Sequence, residues 1–411
     1  MSALPAAPEI TAWPPFVDAA FLQDPYPAYR ALNDDGPIHW SEEFFGGAWV
    51  LGRHADVEAA LRDPRLSAQR TGGWVGGASD APGDMGGFQR LFARAMLFVD
   101  APDHTRLRQV MAAGLKPQVL QALAPRIAQW TSGMLDTVDA RAGFDFMQTV
   151  ARPLPARVIA ALMGVGAGEE ARFIEHSHAL AEFIGAVKPG HAQARRAQVA
   201  LAGLSACFEA ALQSGKPSGD DMIGRLAQAE RDGRIHGSAE LLAQCAMLLF
   251  AGHETTRNLL GNGLRALVAH PAQWQRLVQE PGLLAVAVRE LLRYDSPVQY
   301  TGRRVATGFM LHGRQLRRGD LVIALIGAAN RDPSRYDRPD ALDVGRKQGH
   351  SLAFGYGPHV CIGATLTLLE AETVFGQLLQ RWPTLGLRET KPEWNSNPVY
   401  RGLARLTVGA F

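Results

Sequence analysis

Two short stretches of this 411-residue chain hold residue types able to do redox or proton chemistry. The first is Phe354-Gly355-Tyr356-Gly357-Pro358-His359-Val360-Cys361-Ile362-Gly363. Glycines at 355, 357 and 363 allow a tight, irregular backbone close to another body. A helical pattern begins directly after Cys361. Amides at a helix N-terminus favour an anion, which helps keep a cysteine sulfur deprotonated and electron-rich. Taken alone, a cysteine in such a turn is as a rule a buried structural residue. The second stretch is Ala251-Gly252-His253-Glu254-Thr255-Thr256, in the middle of a predicted helix. Glycine is poor in a helix interior, and threonine can bond back to a carbonyl one turn earlier and bend the helix. A simple kink accounts for this hexapeptide as well as a functional groove does. An acid beside an alcohol can also pass protons.

The elements that must position these groups are mostly helical. Periodicity predicts a long helix over Ser238–Ala269, closed by Pro271, and another over Leu283–Tyr294, closed by Ser296-Pro297. A further helix runs from after Cys361 to about Gln380. Residues His104 to Leu212 are helical in pattern, with breaks near Pro117, Pro153–Pro155 and Pro189-Gly190. Ala48–Leu51 reads as a strand and Ala55–Leu61 as a helix. Arg304–Leu325 has hairpin character with a turn at His312-Gly313, Leu321–Ile326 is strand-like, and Leu403–Val408 reads as a final strand. The fold class is therefore mainly α with a smaller β part, at about 36–70, 298–330 and 385–411. Without internal repeat or low-complexity linker, residues 1–411 read as one domain. Thr71–Gly87, rich in Gly, Asp and Pro, reads as a long loop of the kind that is often functional.

Composition narrows the function. A formal net charge of +2 gives no global field for nucleic acid. Cys207, Cys245 and Cys361 are too few and too scattered for a disulfide framework or a zinc site, which fits a cytoplasmic protein. The N-terminus lacks a basic start followed by an apolar run. Leu241–Gly252, the most apolar stretch, is too short and too polar to span a bilayer.

Phe354, Gly357, Cys361 and Gly363 together reproduce the haem-binding signature of the cytochrome P-450 family, which the chain resembles from about Asp24-Pro25-Tyr26 to its C-terminus. It is most similar to the soluble bacterial type. The resemblance implies a triangular prism with haem b between the long distal helix and the Cys361 loop and helix. Cys361 would be the axial ligand of the iron, and a thiolate there donates electron density that favours O–O cleavage. Ala251 and Gly252 would form the groove over the haem, with Phe354 and Gly363 beside the ligand. Thr255 would hydrogen-bond the oxygen being activated, and Glu254 would relay protons to it. His104 and Arg108, one turn apart on a helix that starts at Asp100-Ala101-Pro102-Asp103, match propionate contacts, as do Arg304 and His359. Glu290 and Arg293, at i,i+3, match a buried structural lock. A third member of that lock is commonly an arginine. Alignment on Pro339-Asp340 puts Ala341 at its position, with Arg338 or Arg335 as substitutes.

The same resemblance implies a monooxygenase that takes O2 and a largely apolar, small-to-medium organic substrate, for hydroxylation, epoxidation or dealkylation. Trp74, Phe88, Phe183, Met247, Ala251, Val298 and Tyr400 are the expected pocket residues, each also explicable as core packing. Arg90, Arg94 and Arg401 are candidates for binding a carboxylate. Electrons would come from a ferredoxin-type donor with its reductase, drawn to Arg106, Lys116, Arg346 and Lys347. A monomer is expected, with neither nucleic acid nor membrane as partner. The alternatives are a peroxide-driven haem-thiolate enzyme, which the Glu254-Thr255 pair disfavours, and a haem-binding sensor without turnover.

Overall fold

In the computed structural model the longest helix forms over Ser238–Val268, and most of its residues are buried on every side. A helix that is apolar all round belongs in the core. Helices Pro153–Met163, Glu170–Gly185, His191–Gln213 and Ala364–Arg381 all pack against it. The structure describes residues 18–44, 46–69, 92–165, 170–185, 190–213, 221–389 and 391–411. The loop expected over Thr71–Gly87 lies outside them.

Proline and glycine set several boundaries. Pro117, Pro153 and Pro271 each open a helix, where a missing amide hydrogen costs nothing. Gly164, in the left-handed conformation, closes Pro153–Met163. The helix expected over Leu283–Tyr294 spans Leu284–Tyr294, and the one after Cys361 spans Ala364–Arg381.

The strands are β1 (His39–Ser41), β2 (Ala48–Leu51), β3 (Leu66–Ser67), β4 (Phe144–Asp145), β5 (Tyr300–Val305), β6 (Phe309–Leu311), β7 (Arg314–Leu316), β8 (Leu321–Leu325), β9 (Leu385–Leu387), β10 (Glu393–Trp394), β11 (Leu403–Arg405) and β12 (Thr407–Ala410). The largest sheet has the order β1-β2-β8-β5-β3, with β2 and β8 parallel. β6 and β7 form the expected hairpin, and His312 and Gly313 at its turn both have positive φ. Leu403–Val408 is not one strand. It divides into β11, paired with β10, and β12, which lies between β4 and β9. β4, two residues long, is too short to leave a periodic signal.

The Glu290–Arg293 lock is present, and its third member differs from expectation. Arg293 donates to both Glu290 oxygens, at 2.6 and 2.8 Å. Arg346 approaches the same carboxylate from the other side, its Nε 3.1 Å from both oxygens. Position 341 contributes its backbone: the Ala341 carbonyl accepts from both arginines. Neither Arg335 nor Arg338 supplies the missing guanidinium. Arg338 offers its carbonyl to Arg346 instead. The third arginine thus sits five residues beyond Ala341, after the Asp343 turn, whose amide also donates to Glu290. Breaking a buried ion cluster by removing one partner costs about 3–5 kcal/mol. Arg346→Met is expected to lose stability on that scale, read as a lower urea midpoint at unchanged m-value.

Candidate active site

A cavity lies between the long helix and the Cys361 segment. Ala251, Gly252 and Thr255 line one side, and Phe354, Cys361 and Gly363 line the other. The Cys361 loop is shaped by its glycines. Gly355 and Gly357 have φ of 71° and 73°, and the Cys361 amide donates to the Phe354 carbonyl at 2.8 Å. A Cβ on Gly357 would lie 3.0 Å from the Leu61 carbonyl oxygen. The sulfur itself opens into the cavity. Burial raises its pKa, against which the Gly363 and Ala364 amides and the Arg108 guanidinium favour the thiolate. Ala364 is the first residue of its helix, so the helix start does face the sulfur.

On the opposite wall, Ala251 and Gly252 both line the cavity, and Gly252 also meets a neighbouring helix. A Cβ on Gly252 would clash with Ile159 at 2.3 Å. Thr255 donates its hydroxyl to the Ala251 carbonyl at 2.9 Å, the back-bond expected of a mid-helix threonine. Glu254 is on a different face. It pairs with Arg257 at 2.7 Å, both nearly fully buried, and its second oxygen has no hydrogen-bond partner among the described residues. The acid and the alcohol therefore point in different directions.

At a third edge, His104, Arg108, His359, Arg303 and Arg304 line the same cavity. The His104 and His359 rings are 4.0 Å apart, and Arg108 donates to the Val360 carbonyl at 2.9 Å. His104 Nε2 is buried without a hydrogen-bond partner among the described residues. Arg304 is half-exposed and donates to the Gly319 carbonyl. Its neighbour Arg303 is buried, and burial lowers its pKa to about 10, partly offset by Asp100. A desolvated guanidinium and an unpaired imidazole nitrogen at one edge suit a ligand carrying carboxylates. The residues present fit a haem: a sulfur on one wall, small residues on the other, and cations at the edge.

Of the expected pocket residues, Met247, Ala251, Val298 and Tyr400 line the cavity. Trp74, Phe88 and Arg90 lie outside the described residues. Phe183 is packed in the core, and its neighbour Ile184 faces the cavity instead. Met96, Leu248, Phe250, Tyr300 and Val399 also line it. Arg401 cannot serve a substrate carboxylate. It is held by Asp295 and the Leu22 and Gln23 carbonyls. Nor do the four basic residues expected to draw a partner form a free ring. Arg106 is bound by Glu240 and Asp103, and Arg346 by Glu290, leaving Lys116 and Lys347 exposed.

Residues 176–407 match the family model described as Cytochrome P450. The chain is 34% identical to "Cytochrome P450 107B1" of Saccharopolyspora erythraea, over 95% of this chain and 96% of that one. It is also 34% identical to "Vitamin D(3) 25-hydroxylase" of Pseudonocardia autotrophica, over 94% of each. Among solved structures, CalO2 aligns with a TM-score of 0.89 at 33% identity, over 98% of this chain and 99% of that one. P450BioI, in complex with an acyl carrier protein bearing hexadec-9Z-enoic acid, aligns at 0.88 and 30% identity, over 96% and 99%. Among the described residues no helix is long and apolar enough to cross a membrane.

His253, between Gly252 and Glu254, gives the long helix a pH dependence. Nε2 donates to the Arg152 carbonyl, so the neutral ring accepts from Ser177 at Nδ1, 3.0 Å away. Burial holds its pKa down at about 4. A base whose pKa is lower when folded stabilises the fold fully above its unfolded value near 6.5, and that stability is lost as pH falls towards 4. His253→Gln is expected to remove roughly 3 kcal/mol of acid sensitivity between those limits, measured as wild type minus variant in urea melts.

Proposed function

The chain belongs to the cytochrome P450 family and is a haem monooxygenase; we propose that it inserts one atom of O2 into a largely apolar, small-to-medium organic substrate, with Cys361 as the iron's ligand. Hydroxylation, epoxidation and dealkylation all fall within this reading. The observation that carries it is one cavity with the Cys361 sulfur on one wall and Thr255 on the facing helix. When bound, haem b supplies O2 activation and transfer of an oxygen atom.

The residues of the chain have three tasks. The Gly363 and Ala364 amides and Arg108 hold negative charge on the Cys361 sulfur. His104, Arg108, His359 and the buried Arg303 take the haem carboxylates, with Arg303 preferred over Arg304 because it is the desolvated one. Thr255 offers Oγ1 to the cavity as a hydrogen-bond acceptor, because its own proton is donated to the Ala251 carbonyl. Glu254 reaches the cavity side by leaving Arg257, which ties proton delivery to breaking a buried ion pair. Apolar side chains such as Met247, Leu248 and Val298 exclude water and receive the substrate. Electrons come from an external ferredoxin-type donor with its reductase.

Cys361→Ser is expected to abolish the thiolate-type spectrum of the reduced carbonyl complex, and its survival would refute the ligand assignment. Thr255→Ala should retain haem and lower product formed per electron by roughly tenfold or more, with peroxide released in its place. Arg303→Gln should lose haem to apomyoglobin faster than Arg304→Gln does. Equal rates would return the propionate role to both.

A further inference from the structure

Among the described residues of the wall beside Val298 and Tyr400, Tyr300 carries a polar atom that the fold leaves unused. It opens strand β5, lines the cavity near Val298 and Tyr400, and is 5% exposed. Its ring is pinned edge-on against Phe44, with centroids 5.2 Å apart, and Phe44 is itself fully buried. Among the described residues the Tyr300 hydroxyl has no hydrogen-bond partner. Buried tyrosine hydroxyls usually find one, because an unmade bond in an apolar site costs free energy. Two other polar side chains of this region are already satisfied. The Gln244 amide donates to the Arg94 and Glu240 carbonyls and accepts from the Met96 amide. The Gln299 amide is bound to Tyr29 and to the Ser296 carbonyl.

We infer that Tyr300 is the specificity-determining anchor of the pocket, donating its hydroxyl to a neutral oxygen of an otherwise apolar substrate. The class this selects is a ketone, ester or lactone carbonyl on a hydrocarbon body. A carboxylate is the wrong partner. The nearest cation in sequence, Arg303, lies roughly 10 Å further along the strand, at the edge assigned to the haem carboxylates. Arg401, beside Tyr400, is already enclosed by Asp295 and two carbonyls. Burial also raises the phenol pKa, so the hydroxyl stays protonated as a donor at every working pH. With its ring fixed by Phe44, the hydroxyl would hold one point of the substrate and so decide which carbon meets the reacting centre.

This inference rests on the monooxygenase reading, and the thiolate-type carbonyl spectrum is recorded first on each sample to separate the two. Loss of that spectrum in wild type would sink the function; its presence leaves Tyr300 open to test on its own. The experiment titrates the holoenzyme with 2-alkanones of eight to fourteen carbons, the matched alkanes and the matched fatty acids. Binding is followed by the haem spin-state shift and by equilibrium dialysis. Wild type should bind the best-fitting ketone about tenfold more tightly than its alkane, the scale of one hydrogen bond in an apolar site, and more tightly than its acid. Tyr300→Phe keeps the ring against Phe44. It should bind the alkane as wild type does and lose the preference for the ketone. The inference is overturned if no ketone binds more tightly than its alkane, if the acid binds best, or if Tyr300→Phe keeps the preference.

Discussion

Two guanidiniums share the Glu290 carboxylate in the interior, and the placement of the sulfur follows from that arrangement. Arg293 comes from the same helix as Glu290, whereas Arg346 comes from the segment that leads into the Cys361 loop. Arg293 also donates to the Asn330 and Pro339 carbonyls, and Arg346 to those of Asp337 and Ala341. One helix and two irregular stretches are thus fastened at a single anion. A buried anion is tolerated only when it is fully paired. Irregular backbone with few ladder bonds of its own therefore receives a fixed position. The loop that follows needs only its glycines and the helix start at Ala364 to aim the sulfur at the cavity.

Local features were the legible ones. The glycines around Cys361, the helix behind it and the 31-residue apolar helix are all written in consecutive residues. What eluded sequence reasoning depends on where distant backbone lies. Ala341 was singled out because an arginine was sought at one position, yet the guanidinium arrives from five residues later and position 341 serves through its carbonyl. Arg303 and Arg304 are indistinguishable as letters. Only the packing of β5 decides which is desolvated. Phe183 and Ile184 differ by one helical step of about 100°, enough to exchange core for cavity. The free hydroxyl of Tyr300 left no signal, because an unused hydrogen bond is a property of its surroundings.

The acid–alcohol pair shows the same division. Adjacent letters on a helix point about 100° apart, and of Glu254 and Thr255 only the threonine lines the cavity. Thr255 is at the wall, while Glu254 is drawn behind it by Arg257. Its unpaired oxygen and the neutral His253 beside it make this side of the helix a polar pocket inside an apolar core.

Gly252 lines the groove, and its missing side chain also leaves room for Ile159 of a neighbouring helix. That contact limits how the enzyme can diversify. A larger residue at 252 must displace the Ile159 side chain, and a smaller one does not exist. A larger residue above the sulfur therefore calls for a compensating change at Ile159, whereas the strand and turn residues around Val298, Tyr300 and Tyr400 carry no such coupling to Gly252. An engineer reshaping this pocket would find its ceiling coupled to a second position and its side walls open to single changes.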